Sequence, residues 1–149
     1  MNVTEALTYI HSVCWKGSIP GLSRTKELLA RMGNPEKRLR FVHIAGTNGK
    51  GSTAAMIASV LQKAGYRTGL YTSPYLFRFH ERMKVNGEDI TDGELAEITQ
   101  WVKPHAEAME DHPTEFELVT AIAMEYFARQ RCDIVVLEVG MGGEWDSTN

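Results

Sequence analysis

The chain has few of the features that tie a protein to a membrane, a disulfide framework or a nucleic acid. Only two cysteines occur in 149 residues, Cys14 and Cys132. They stand far apart and form no C-x-x-C pair, so neither a disulfide scaffold nor a thiolate metal knuckle is expected. No apolar run approaches the ~20 residues that a membrane span requires. The segment from Met1 to Ala6 lacks both the basic start and the apolar stretch of a secretory signal. No block of Lys and Arg is longer than two, and 16 basic against 19 acidic side chains leave a net charge of −3. A basic nucleic-acid-binding face is therefore not expected. These absences predict a cytoplasmic protein with reduced thiols and no membrane or nucleic-acid partner. No internal repeat or low-complexity tract occurs.

What is present is concentrated in one segment. The apolar run Phe41-Val42-His43-Ile44-Ala45 leads into Gly46-Thr47-Asn48-Gly49-Lys50-Gly51-Ser52, and a helical pattern opens at Thr53. A glycine-rich turn between a strand and a helix directs backbone N–H groups at one point, at the positive end of the helix, where a polyphosphate can sit. Glycine suits such a turn because it adopts positive φ and lets a ligand approach the backbone closely. Lys50 supplies a cation for the outer phosphates, and the Ser52 hydroxyl is a candidate Mg²⁺ ligand. The spacing departs from the usual G-x-x-x-x-G-K-[ST] pattern. The first glycine would fall at Ile44, and Gly51 separates the lysine from its hydroxyl residue. The bland alternative is a strand-to-helix turn that binds nothing, in which Lys50 has no evident task.

The rest of the pattern predicts an α/β fold: a P-loop-containing, Rossmann-like, mostly parallel sheet flanked by helices. Helices are expected from Thr4 to His11, from a Ser23 cap to Met32, and from the phosphate loop to about Ala64. A strand from Arg67 to Tyr71 then completes a βαβ unit, whose strands should be parallel with a right-handed crossover. Arg82 to Ile90 reads as a hairpin turning at Asn86-Gly87. Thr91 to Glu94 and Thr114 to Glu117 have the spacing of capping boxes. Pro104 should kink or break the first of the two helices they begin. The second should turn Phe116, Val119, Ala123 and Phe127 inward. Ile134 to Val139 is a near-continuous apolar run, as in a strand buried on both faces. With three central strands and no finishing helix, the sheet looks cut short at its C-terminal end, as in a fragment of a longer enzyme.

Ligands of open α/β sheets bind beyond the carboxyl ends of the strands. Three loops leave such ends: Gly46 to Ser52, Thr72-Ser73-Pro74, and Gly140 to Asp146. Glu138 is the only acid in the last apolar strand and lies near its end, a position from which a carboxylate can hold nucleotide-bound Mg²⁺ directly or through water. Its structural alternative is a carboxylate occupied by neighbouring N–H groups. By composition, Ser73 is a turn residue. The histidines show no metal-ligand spacing, and His43 reads as structural. Among the tryptophans, Trp145 lies in a glycine-flanked loop and is the best candidate to stack on a ring.

Taken together, these residues resemble the folylpolyglutamate synthase/dihydrofolate synthase family of the Mur ligase superfamily. The resemblance rests on Gly46 to Ser52, Thr72-Ser73-Pro74, Glu81-Arg82 with Asn86-Gly87, Phe116-Glu117 with Thr120-Ala121, and Glu138 to Gly143 through Asp146-Ser147-Thr148-Asn149. It covers the chain nearly end to end, and the shifted phosphate loop is what that family shows. It implies an ATP-dependent ligase that adds L-glutamate to a folate or dihydropteroate through an acyl phosphate. It implies ATP held by Gly46, Thr47, Asn48, Gly49, Lys50, Gly51 and Ser52, with Lys50 and Glu138 catalytic. It implies Mg²⁺ on Ser52, Ser73 and Glu138. The pterin end would meet Thr114, Glu115, Phe116, Glu117, Trp145, Asp146 and Ser147, with Ser18 to Leu22 a weaker candidate. The full-length enzyme is expected to be monomeric, and the isolated segment, lacking a glutamate-binding domain, to be inactive.

Two departures stand out. Tyr75 replaces the family's common His after Ser-Pro, and Glu144 replaces its common Arg after the Gly-Gly pair. Competing expectations are a Mur-type cell-wall ligase, a small P-loop kinase and a module that binds nucleotide without turnover. The shifted loop argues against the kinase, and the Asp-x-Thr-Asn ending argues against the cell-wall ligases.

Overall fold

The computed structural model describes residues 1–17, 21–45, 49–73 and 75–138. Five strands form one sheet in the order β1-β5-β2-β3-β4. They are β1 (Phe41–Ile44), β2 (Thr68–Tyr71), β3 (Met83–Val85), β4 (Glu88–Asp89) and β5 (Ile134–Glu138). Strand β5 lies between β1 and β2 and runs parallel to both. The two strands of the expected βαβ unit are therefore parallel but not adjacent. Strands β3 and β4 extend the sheet as an antiparallel hairpin, so a parallel core of three strands carries an antiparallel edge. Asn86 and Gly87 turn that hairpin with φ of 48° and 81°, as the Asn-Gly pair predicts.

Five helices accompany the sheet: α1 (Val3–Ser12), α2 (Ser23–Arg31), α3 (Lys50–Lys63), α4 (Asp92–Glu107) and α5 (Glu115–Arg129). Asn2, Thr91 and Thr114 each close a capping box with the Glu three residues on. Each such cap stabilises its helix by about 1 kcal/mol. Ser23 is not a cap: it is the first helical residue, Leu22 precedes it, and no side chain caps this helix. Pro104 does not break α4, which continues to Glu107. The proline stands in the last turn, so few further backbone bonds depend on its neighbours.

The chain moves in opposite senses along the sheet from β1 to β2 and from β2 to β5. Right-handed crossovers therefore put α3 and α5 on opposite faces. Helix α5 is buried from Glu117 to Ala128, with α1, α2 and α4 packed around it. Its Val119, Ala123 and Phe127 are fully buried, as expected, in a core shared with Tyr71, Met83, Val135 and Leu137. Gly69 of β2 is required at this contact. A Cβ there would stand 2.7 Å from Phe127 Cδ1, so the strand and the ring meet with no room for a side chain. Across the sheet, α3 buries only Ala54 and leaves Met56 and Val60 exposed.

Candidate active site

The register fixes where the parallel strands end. Ile44 of β1 pairs with Glu138 of β5, and Tyr71 of β2 pairs with Leu137. The three parallel strands thus end in one row, at the same edge of the sheet. Gly49, at φ 72°, turns the chain into α3 and offers no side chain to its first N–H groups. The first N–H groups of a helix have no partner within it, so a helix start is a place where an external acceptor can bind. Lys50 begins the helix and is half-buried, and Ser52 is exposed on the first turn.

Glu138 faces this helix start. It is 9% exposed, and its Oε2 would lie 3.8 Å from a Cβ on Gly51. The same oxygen accepts a hydrogen bond from the Ser73 backbone N–H at 3.2 Å. Thus Gly51, Ser73 and Glu138, separated by long stretches of sequence, meet at one corner. The oxygen donors carried by this corner and its neighbouring residue are the Glu138 carboxylate and the hydroxyls of Ser73 and of Ser52, which follows Gly51 in the chain. All are hard oxygens, which fits Mg²⁺ better than a thiophilic or imidazole-seeking metal. Among the described residues no group of three His, Cys, Asp or Glu side chains is placed to hold a metal.

The four residues from Thr114 to Glu117 divide by role. Thr114 and Glu117 are buried and bind one another: the Glu117 N–H donates to Thr114 Oγ1 at 3.2 Å, and the Thr114 N–H donates to Glu117 Oε1 at 2.8 Å. Arg24 Nε also donates to Glu117 Oε1, at 2.9 Å. The Arg24 guanidinium is held charged first by that bond, with Asp111 adding to it. Glu115 contacts His11 Nδ1 at 2.7 Å. Phe116 is half-buried and stacks on Tyr71, with ring centroids 6.3 Å apart and planes 20° from parallel. Tyr71 in turn shares a 3.1 Å hydroxyl contact with Thr120. Thr120 also helps line a cavity of about 540 Å³ between α2, β1 and α5, together with Leu22, Phe41, His43 and Met124.

Two residues that the sequence marks only as members of a motif prove central. Glu81 gathers the loop before it, accepting from the N–H groups of Leu76 at 2.8 Å, Phe77 at 3.1 Å and Arg78 at 3.0 Å. The Leu76 N–H, then that of Arg78, hold the Glu81 carboxyl below the usual carboxylate range. Leu76 and Phe77 themselves face solvent, 83% and 88% exposed. The next residue, Arg82, turns back into the protein among Tyr71, Phe79 and Phe116. An acid three residues beyond a run of free N–H groups is a legible loop-closing signal. A buried arginine has no such local mark.

Gly46, Thr47, Asn48, Pro74, Trp145, Asp146 and Ser147 lie outside the described residues, as do Ser18 to Pro20, Gly140 to Gly143 and Glu144. Trp15 and Trp101, the other two tryptophans, are exposed. His43 is exposed on β1. Both cysteines are free, Cys14 exposed and Cys132 buried. Among the described residues, no helix is long and apolar enough to cross a membrane.

No protein-family model matches the chain. It is 50% identical over 150 residues to the dihydrofolate synthase/folylpolyglutamate synthase of Bacillus subtilis, an alignment covering 97% of this chain and 35% of that protein. It is 42% identical to the folylpolyglutamate synthase of Lacticaseibacillus casei, over all of this chain and 36% of that one. A solved structure described as an FPGS-AMPPCP complex superposes with a TM-score of 0.92 at 42% identity, covering all of this chain and 37% of that one. The chain thus spans about a third of the length of the relatives it matches. By sequence and by backbone alike, it belongs with the folylpolyglutamate synthases/dihydrofolate synthases over that third of their length.

Proposed function

We propose that this chain is the nucleotide-binding portion of an ATP-dependent ligase that joins L-glutamate to a folate or dihydropteroate. It would belong to a Mur-ligase-type ATP-binding domain. The observation that carries the proposal is the meeting of the α3 start, Ser73 and Glu138 at the carboxyl ends of the parallel strands. Half-buried Phe116 stacks on Tyr71, the last residue of β2, two residues before Ser73.

A carboxylate does not react with an amine until it gains a leaving group. In the proposed reaction an acceptor carboxylate oxygen attacks the γ-phosphorus of ATP. The bond from that phosphorus to the β–γ bridging oxygen breaks, and ADP leaves. The glutamate nitrogen then attacks the acyl carbon, the bond to the phosphate oxygen breaks, and the amine gives up a proton as inorganic phosphate departs. The task of the protein is to position these groups and to neutralise charge on the transferred phosphoryl. Gly46 to Ser52 would cradle the phosphates with backbone N–H groups, and Lys50 would meet their outer oxygens. Ser52, Ser73 and Glu138 would hold Mg²⁺, which supplies a further positive charge against the phosphates. Phe116 would face the pterin side, joined by Trp145, Asp146 and Ser147. Thr114 and Glu117 would hold the start of α5 so that Phe116 keeps its place. Glu115 would sit at the rim.

Because the chain spans about a third of its relatives, we propose that the glutamate site falls outside these 149 residues and that they do not complete ligation alone. We place the full-length enzyme in the reducing cytoplasm, as a monomer. Calorimetric titration of the chain with ATP and Mg²⁺ tests the first half of the proposal. Saturable, Mg²⁺-dependent binding that weakens in Lys50→Ala and Glu138→Ala is expected. Phosphate release by the full-length gene product, requiring both a folate-class acid and glutamate, tests the second. Release that needs neither would mark a phosphatase or kinase instead.

A further inference from the structure

Arg82 is 9% exposed and forms no ion pair with any described residue. Its Nε is buried and has no hydrogen-bond partner. What surrounds the guanidinium is aromatic. The Phe79 centroid lies 5.4 Å from its central carbon, that of Phe116 5.9 Å and that of Tyr71 6.0 Å. Three ring faces offset part of the cost of removing this cation from water, but they satisfy none of its in-plane N–H donors. A buried charge without a counter-ion is among the costlier features a fold can hold. Elsewhere in this chain the equivalent cost is met: Arg24, equally buried, has Glu117 at 2.9 Å.

The location of Arg82 gives that cost a use. Its carbonyl accepts the Thr72 N–H at 3.1 Å, and the next residue, Ser73, donates its N–H to Glu138. On its other side the guanidinium borders Phe116, whose partner Tyr71 ends β2. Arg82 therefore stands between the corner proposed for the metal and phosphates and the ring proposed to face the pterin. We propose that Arg82 is the positioning cation for the acceptor carboxylate, pairing its free fork with that group before phosphoryl transfer. A planar guanidinium matches a carboxylate bidentately and fixes its plane, which a lysine ammonium does not. The rings of Phe79, Phe116 and Tyr71 keep water from competing and hold the fork in one orientation. This role rests on the ligase proposal above, since it needs an acceptor that carries a carboxylate.

The test uses the full-length gene product, with pteroate and the carboxamide of pteroate as probes. The wild type is expected to bind pteroate about 10- to 100-fold more tightly than the carboxamide, the range of one charge-assisted pair. Arg82→Gln should abolish that discrimination and leave ATP affinity unchanged, and Arg82→Lys should recover only part of it. Guanidinium Nε–H resonances of the wild type provide a measurement that no folding defect can confuse. The Arg82 signal should move on adding pteroate and stay on adding the carboxamide. Retained discrimination in folded Arg82→Gln would overturn the proposal and make Arg82 a packing residue. Lost ATP affinity with discrimination intact would also overturn it, assigning the cation to the γ-phosphate. A wild type that binds ATP but neither distinguishes the two probes nor ligates pteroate would remove the ligase proposal itself.

Discussion

The Ser73 N–H donates to Glu138 Oε2 at 3.2 Å, joining the ends of β2 and β5 across 65 residues of sequence. One oxygen thereby ties the end of β5 to the residues that follow β2. Glu138→Gln keeps an acceptor at that place and removes the negative charge. It is expected to leave the thermal midpoint within a few degrees while weakening Mg²⁺-dependent nucleotide binding by about 10- to 100-fold, the range for a disturbed metal ligand or its support. Calorimetry with and without Mg²⁺ reads the effect. Equal affinity in both proteins would show that Glu138 serves the backbone only.

Arg24 and Glu117 form a buried pair that also anchors the cap of α5. Arg24→Met strands the Glu117 carboxylate away from water, and removing one partner of such a pair costs about 3–5 kcal/mol. Urea unfolding should show a loss of that order. Pairing Arg24→Met with Glu117→Gln should recover much of it, because the amide keeps an acceptor for the Thr114 N–H. A single variant as stable as the wild type would contradict the assignment.

Gly69→Ala forces a methyl group against Phe127, where only 2.7 Å is available. Over-packing of this kind costs about 1–3 kcal/mol, because neither β2 nor α5 can shift without disturbing the core. A lower melting temperature is the expected outcome. An unchanged one would mean that the ring moves aside freely.

Glu81 organises its loop only as a carboxylate, since it accepts from three N–H groups. Those bonds hold its folded value below the ordinary one. Its contribution to loop order is therefore fully present above the ordinary carboxylate range and is lost as pH falls through the lowered folded value. The backbone amide signals of Leu76, Phe77 and Arg78 should move together in acid, below the range of an ordinary glutamate. Glu81→Gln should weaken the loop at every pH and remove that transition. Three amides that titrate separately would refute the shared anchor.

Burial pushes the Cys132 thiol up to about 11, while Cys14 lies exposed. At about pH 8, near the ordinary thiol value, a thiol reagent should modify Cys14 quickly and Cys132 only on unfolding. Two fast thiols per folded chain would show that the wall around Cys132 opens.

Local order was legible in the sequence where its cause is local. The capping boxes at Thr91 and Thr114, the Asn86-Gly87 turn and the apolar run of β5 each carry their own signal. So did Glu138, an acid at the end of an apolar strand. Strand order was not legible, because nothing in the composition of β5 says that it enters between β1 and β2. Ser23 was misplaced because a capping residue type does not cap once the chain before it has already turned into the helix. The fates of Thr114 and Glu117 depend on Arg24, some 90 residues earlier and on another helix. The Arg82 cage assembles from one turn, the end of β2 and the start of α5, so no window of sequence contains it.

The central place of β5 sets a timetable for synthesis. Among the described residues, strand β1 finds its only sheet partner in β5, and β2 has just the short β3 hairpin beside it until then. A ribosome must therefore translate nearly everything up to Glu138 before the parallel core can close, and β1 waits throughout without the strand it pairs with. Long-range pairing of this kind is slow and exposes intermediates to wrong partners. Until β5 arrives, the loop proposed to cradle the phosphates lacks the carboxylate of Glu138 that faces the start of α3.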